Sequence, residues 1–217
     1  MRRILTLMTA LVIITVGLAA VELPVIMGAK FAKKHKVKLK HEIHITVPYS
    51  NMATVEFPPE SGGAFIKVKY VTDKNDFIEN LQLTSLKVPM VRLKSRLNVV
   101  KKLVEKKILP GLKKNFKDAE IINIQNIEVN KLPTAIIDIK YTNPEIKGVM
   151  YARVAGILSP EDREGVLVIG YLNPKYSEVQ KDEDLVKQNL GAVSEMIMSI
   201  KFEKLKKLKK KKKKKNK

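Results

Sequence analysis

The residues able to do chemistry are few and badly spaced for it. His35, His41 and His44 are the only histidines, and cysteine is absent. Without cysteine there is no disulfide, no thiol nucleophile and no thiolate ligand for zinc. The stretch HEIH sets its two histidines three apart, which is the wrong spacing for a helical zinc site. In a strand that spacing sends His41 and His44 to opposite faces. The histidines are therefore read as surface residues. A Ser-His-Asp arrangement would have to borrow its base from the segment around residue 40. Glu161-Asp162 and Asp182-Glu183-Asp184 read as turn and helix-capping residues rather than calcium ligands or paired catalytic carboxylates. The glycines in SGGA and VAGIL match neither a phosphate-binding loop nor a dinucleotide fingerprint. No catalytic, cofactor-binding or metal-binding residue is assigned, and the chain is read as a non-enzyme without a cofactor.

What the sequence does carry is charge. The 217 residues have a net charge of +20, and it is unevenly placed. Residues 41–200 hold 22 basic and 20 acidic side chains, whereas residues 30–40 hold six lysines and residues 201–217 hold twelve lysines against Glu203 alone. A basic face built into the middle of a fold, as in most sequence-reading DNA binders, is not indicated.

The candidate binding residues are the lysines of the C-terminal run: Lys204, Lys206, Lys207, Lys209, Lys210, Lys211, Lys212, Lys213, Lys214, Lys215 and Lys217. Like charges this dense repel one another and attract a polyanion. Anionic lipid head groups stabilise each nearby lysine by about 1 kcal/mol. Nucleic acid would gain similarly through counterion release, but residues 204–217 contain no arginine, tyrosine or tryptophan for base reading or stacking. Lipid or another polyanion is the expected partner, non-specific nucleic-acid binding at a membrane the alternative, and a merely solubilising tail the third reading. A further protein partner is left open.

At the other end, Ile4 to Val21 is uncharged for eighteen residues. As a helix that run is about 27 Å long, near the hydrocarbon thickness of a bilayer. Residues 1–29 are accordingly expected to be an N-terminal transmembrane or signal helix. A retained anchor with an extracytoplasmic domain is the reading taken, with cleavage and secretion as the alternative. Residues 30–41 are expected to be a basic juxtamembrane linker, 42–202 the domain, and 203–217 a polybasic tail.

Within the domain the pattern is that of strands. EIHITV, ATVEF, AFIKVKYV, AEIINIQNIEV, PTAIIDIKYT, GVMYARVAGIL and GVLVIGYLN are predicted strands, FIENLQLTSLKV a weaker one and PPESGG a loop. In PTAIIDIKYT, Asp138 and Lys140 alternate with apolar residues and are placed on a solvated side. Leu93, Leu97, Val100, Val104 and Ile108 form the stripe of a first amphipathic helix, interrupted at Pro110-Gly111. Leu185, Leu190, Val193, Ile197 and Ile200 form that of a second, which Phe202, Leu205 and Leu208 extend into the tail. The predicted class is α+β: an antiparallel β-sheet covered by two long helices, in layers.

KLPTAIIDIKY, GVMYARV, GVLVIGYLN, PKYSEV and the closing MIMSIKF together resemble the PsbP-like family over roughly residues 47–202. That family includes the extrinsic subunit of photosystem II. The resemblance implies an α-β-α sandwich and a non-catalytic accessory role. The chain departs from the family pattern in lacking tryptophan and in the region before the first helix, and no family site residue maps onto a numbered position.

Overall fold

The computed structural model describes residues 21–57 and 63–205. Ten strands dominate: β1 (Leu23–Met27), β2 (His41–Val47), β3 (Ala53–Glu56), β4 (Ala64–Val71), β5 (Phe77–Lys87), β6 (Glu120–Val129), β7 (Leu132–Asn143), β8 (Gly148–Leu158), β9 (Glu164–Leu172) and β10 (Lys201–Lys204). They make two antiparallel sheets, one of seven strands in the order β3-β4-β5-β9-β8-β7-β6 and one of three in the order β1-β2-β10. Every predicted strand from EIHITV onward is present, including FIENLQLTSLKV, which is the eleven-residue β5.

The large sheet is buried on both faces because β7, β8 and β9 are apolar at both parities. On one face Ala135, Ile137, Ile139, Ala152 and Val154 pack against Val100 and Val104. These two valines belong to a helical run formed by α2 (Leu93–Leu103), a π-helical turn (Val104–Ile108) and α3 (Leu109–Lys113). Pro110 does not stop the run. The π-helical turn widens the helix just before it, where an ordinary turn would drive the proline ring into a carbonyl four residues back. On the other face Leu81, Leu83, Ile136, Ile157 and Val168 meet Ile43, Ile45 and Val47 of the small sheet and Met196 and Ile197 of α4 (Ala192–Ser199).

The expected second long helix does not form, so the sheet is not covered by two long helices and the simple α-β-α sandwich is corrected. Residues 182–202 break into a 3-10 turn (Asp182–Val186), an extended stretch, the eight-residue α4 and β10. Asp184 accepts backbone hydrogen bonds from Gln180 (3.1 Å) and Lys181 (3.3 Å), the expected cap, but it opens a turn that goes no further than Val186. Gly191 has φ +84°, and a Cβ there would stand 2.7 Å from a Glu79 carboxylate oxygen. The chain must turn at this residue, and only glycine does so without strain. Ile200 is already extended, so Phe202 sits in a strand and not on a helical stripe.

The expected transmembrane helix, and the membrane-anchored extracytoplasmic placement built on it, are corrected as well. Among the described residues no helix is long and apolar enough to cross a membrane. The described end of the expected anchor pairs with β2 as β1, with Val25 and Met27 buried in the protein core. Residues 30–41, expected as linker, carry most of the helix α1 (Ala29–Lys34), the approach to β2 and its first residue, His41. Residues 1–20, residues 58–62 of the expected PPESGG loop, and residues 206–217 lie outside the described residues.

Candidate functional site

The two basic segments, more than 160 residues apart in sequence, are joined by β2 and β10. Lys204 is the antiparallel partner of His41, and Phe202 that of Ile43. The last described residues of the lysine-rich C-terminus thus lie one position from Lys40. Lys30, Lys33, Lys34, Lys36, Lys38 and Lys40 are all exposed, as are Lys201 and Lys204. Of the eleven lysines named from sequence only Lys204 is described, and it lines a surface depression of about 450 Å³ with Lys40, His41, Leu132, Ser159, Pro160, Glu161, Phe202 and Glu203. No local pattern announced this pairing, since the register between two remote strands is not a local property.

One wall of the depression is held by His41. Its ring stacks on Phe202 with centroids 5.4 Å apart, and Nε2 lies 2.9 Å from Asp162 Oδ2. Burial alone would raise the Asp162 carboxyl. The Glu164 amide and the His41 ring outweigh it and hold the group below the usual carboxylate range. The same loop is tied to α2 by buried Arg96, whose Nη2 donates to the Ser159 (2.8 Å) and Asp162 (2.6 Å) carbonyls. Glu161-Asp162 is thus a turn, as expected.

His44 points to the opposite face, as the strand geometry requires. Its Nε2 lies 3.1 Å from Glu42 Oε1 and 3.7 Å from Glu203 Oε2. Glu203 is brought there by β10 and could not be associated with HEIH from the sequence.

Beyond the far end of β2, a cavity of about 170 Å³ is lined by Tyr49, Tyr70, Tyr176, Glu79, Glu178 and the start of α4. Glu79 is 2% exposed and accepts hydrogen bonds from Ser177 Oγ and from the Val193 amide (2.8 Å). Burial pushes its carboxyl up despite those bonds. Glu178 raises it further, and Glu195 is itself raised, by burial first and then by Glu178 and Glu22. Tyr49 occupies the left-handed region at φ +48°, unusual for an aromatic residue. The sequence held a signal for Glu79: it shares strand parity with Leu81 and Leu83, a charge on a core-facing row.

Asp138 carried no such signal, since it shares its strand parity with Lys140 and Thr142. It does not face solvent as expected; it is fully buried, with Asn123 Nδ2 (2.8 Å) and Arg153 Nε (2.8 Å) donating to it. Arg153 also donates to Ser194 Oγ (2.6 Å) and to the Leu185 carbonyl, tying α4 and the 3-10 turn onto the sheet. Asp182 accepts from Tyr151 Oη (2.6 Å) and Lys140 Nζ (2.8 Å), a cross-link over the sheet instead of a helix cap.

No family's sequence profile matches the chain, and no curated protein matches it in sequence. Among solved structures, the cyanobacterial PsbP (CyanoP) of Synechocystis sp. PCC 6803 superposes with a TM-score of 0.54 at 10% identity, covering 87% of this chain and 95% of that one. The Ran-binding protein Mog1p of Saccharomyces cerevisiae gives a TM-score of 0.39 at 14% identity, over 73% of this chain and 89% of that one. At 10% identity the likeness to PsbP is one of fold.

Proposed function

We propose that the protein is a non-catalytic accessory or binding protein that engages a phosphate-rich polyanion through one basic surface made from both lysine-rich segments. The register Lys204 to His41 carries this reading. It places the exposed lysines of residues 30–40 beside the point from which the lysines of residues 206–217 continue. Charge density rather than a shaped pocket supplies the attraction, so recognition is of phosphate and not of bases. Each lysine near a phosphate surface contributes about 1 kcal/mol, and binding falls with salt because counterion release then gains less entropy. The PsbP-like fold agrees with an accessory role without specifying a partner.

The test is binding of the full chain to phosphatidylserine-containing and to phosphatidylcholine vesicles, and to single- and double-stranded oligonucleotides of two unrelated sequences, across a salt series. The expected result is salt-sensitive binding to at least one phosphate polyanion and none to zwitterionic vesicles. Retention on anionic vesicles identifies lipid head groups, and sequence-independent retention on oligonucleotides identifies nucleic acid. Lys38→Gln with Lys40→Gln weakens binding about as much as removing two lysines from the C-terminal run, roughly 30-fold at about 1 kcal/mol each. Absence of binding at low salt, or full affinity in the double variant, overturns the proposal.

A further inference from the structure

We propose that Glu42, His44 and Glu203 form a binding site for a first-row divalent cation, zinc in first place, at the seam between β2 and β10. Glu42 and His44 are two apart on one strand and share its face. Glu203 is the register partner of Glu42 on the neighbouring strand. The three donor atoms lie within 4.8 Å of one another, with the imidazole nitrogen 3.1 Å from one carboxylate and 3.7 Å from the other. An ion with four ligands at about 2.1 Å in a tetrahedron separates neighbouring donors by about 3.4 Å. Two edges of such a tetrahedron are thus already close to length.

The electrostatics point the same way. Two carboxylates directly opposite on one sheet face repel each other, and here one of them is removed from water: Glu42 is 9% exposed. Its Oε2 lies so close over Gly28 that a Cβ there would stand 2.3 Å away, so the backbone is left bare to admit the carboxylate. One imidazole, in either protonation state, cannot cancel both charges. The basic side chain within 4 Å of both glutamates is His44, and Lys201, which stands opposite His44 in the register, pairs with neither. A divalent cation neutralises both carboxylates and uses the Nε2 lone pair of the neutral tautomer. Glu203 is half exposed, which leaves a path for the ion and a fourth position for water. One imidazole with two carboxylates suits zinc, and manganese or iron(II) more weakly.

The site has a consequence for the basic surface, which rests on the polyanion reading whereas metal binding itself does not. β10 is a four-residue strand paired with β2 alone. An ion shared by Glu42, His44 and Glu203 would rivet it in place and remove two negative charges from beside Lys38, Lys40, Lys201 and Lys204.

The experiment is equilibrium dialysis and calorimetric titration of the chelator-stripped full chain with zinc chloride, without polyanion. One zinc per chain is expected, together with a rise in the unfolding temperature and a shift of the His44 ring nitrogen resonances on loading. His44→Ala and Glu203→Gln each weaken uptake roughly 100-fold and abolish the thermal shift, while His35→Ala retains both. The unfolding temperatures of the stripped variants report whether they fold. No zinc uptake by the wild type, or unchanged uptake in folded His44→Ala and Glu203→Gln, overturns the proposal. Because no polyanion is present, either outcome leaves the reading of the basic surface to its own assay.

Discussion

Asp138 on β7 and Arg153 on β8 are register partners whose side chains meet inside the protein, Arg153 Nε 2.8 Å from Asp138 Oδ1, with the acid fully buried and the base 2% exposed. The guanidinium gives further hydrogen bonds to Ser194 and Leu185, so a single ion pair joins two neighbouring strands of the large sheet to α4 and the 3-10 turn. The pair has no solvent to fall back on. Its role is to position the short elements that replace a second long helix.

Removing either partner strands a charge. Asp138→Asn and Arg153→Met are each expected to lower stability by about 3–5 kcal/mol, measured by urea unfolding. Asp138→Leu combined with Arg153→Met is expected to recover most of that loss, because no charge is left to desolvate. Single-variant losses under about 1 kcal/mol would show that water or a neighbour replaces the missing partner.

Gly156 tests how closely the long helical run sits on the sheet. A Cβ there would stand 2.6 Å from both γ-carbons of Val100, which is fully buried. Gly156→Ala is expected to cost about 1–3 kcal/mol through overpacking. Val100→Ala in the same chain should relieve the clash, so the double variant is more stable than the two single losses added together. Strict additivity in thermal unfolding would mean that the two residues do not touch.

The raised carboxyl of Glu79 has a defined sign in the pH profile. A group whose folded-state pKa lies above its unfolded value, here 4.5, contributes stability in full below that value and loses it as pH rises through the folded pKa. The stability of the wild type relative to Glu79→Gln should therefore decline from about pH 4.5 upward. Asp162 is lowered and acts in the opposite sense, its contribution being present above 3.8 and lost as pH falls through its folded pKa. Chemical unfolding of both chains from pH 4 to 8 checks this, and a constant difference would contradict the burial of Glu79.

Strand grammar was legible because alternation has a period of two that survives in any tertiary setting. β4, β7 and β8 fall where their residues alternate or run apolar. The helix over residues 182–202 was misread for a related reason. Leu185, Val193, Ile197 and Ile200 are all buried, as a helical stripe would be. They reach that state through a turn, a short helix and a strand, because Gly191 turns the chain against Glu79 of a remote strand, while Asp184 caps only the short turn it belongs to.

The lysine-rich segments, the absence of cysteine and the order of strands are properties of composition and short-range period, and the sequence by itself determined them. Which charges meet was decided only by tertiary structure. Lys204 beside Lys40, Glu203 opposite Glu42, Asp138 against Arg153 and Glu79 beneath Gly191 all depend on register and packing between segments remote in the chain. Burial and pairing are cooperative, so no local pattern encodes them. The basic surface and the proposed metal seam both belong to that second category.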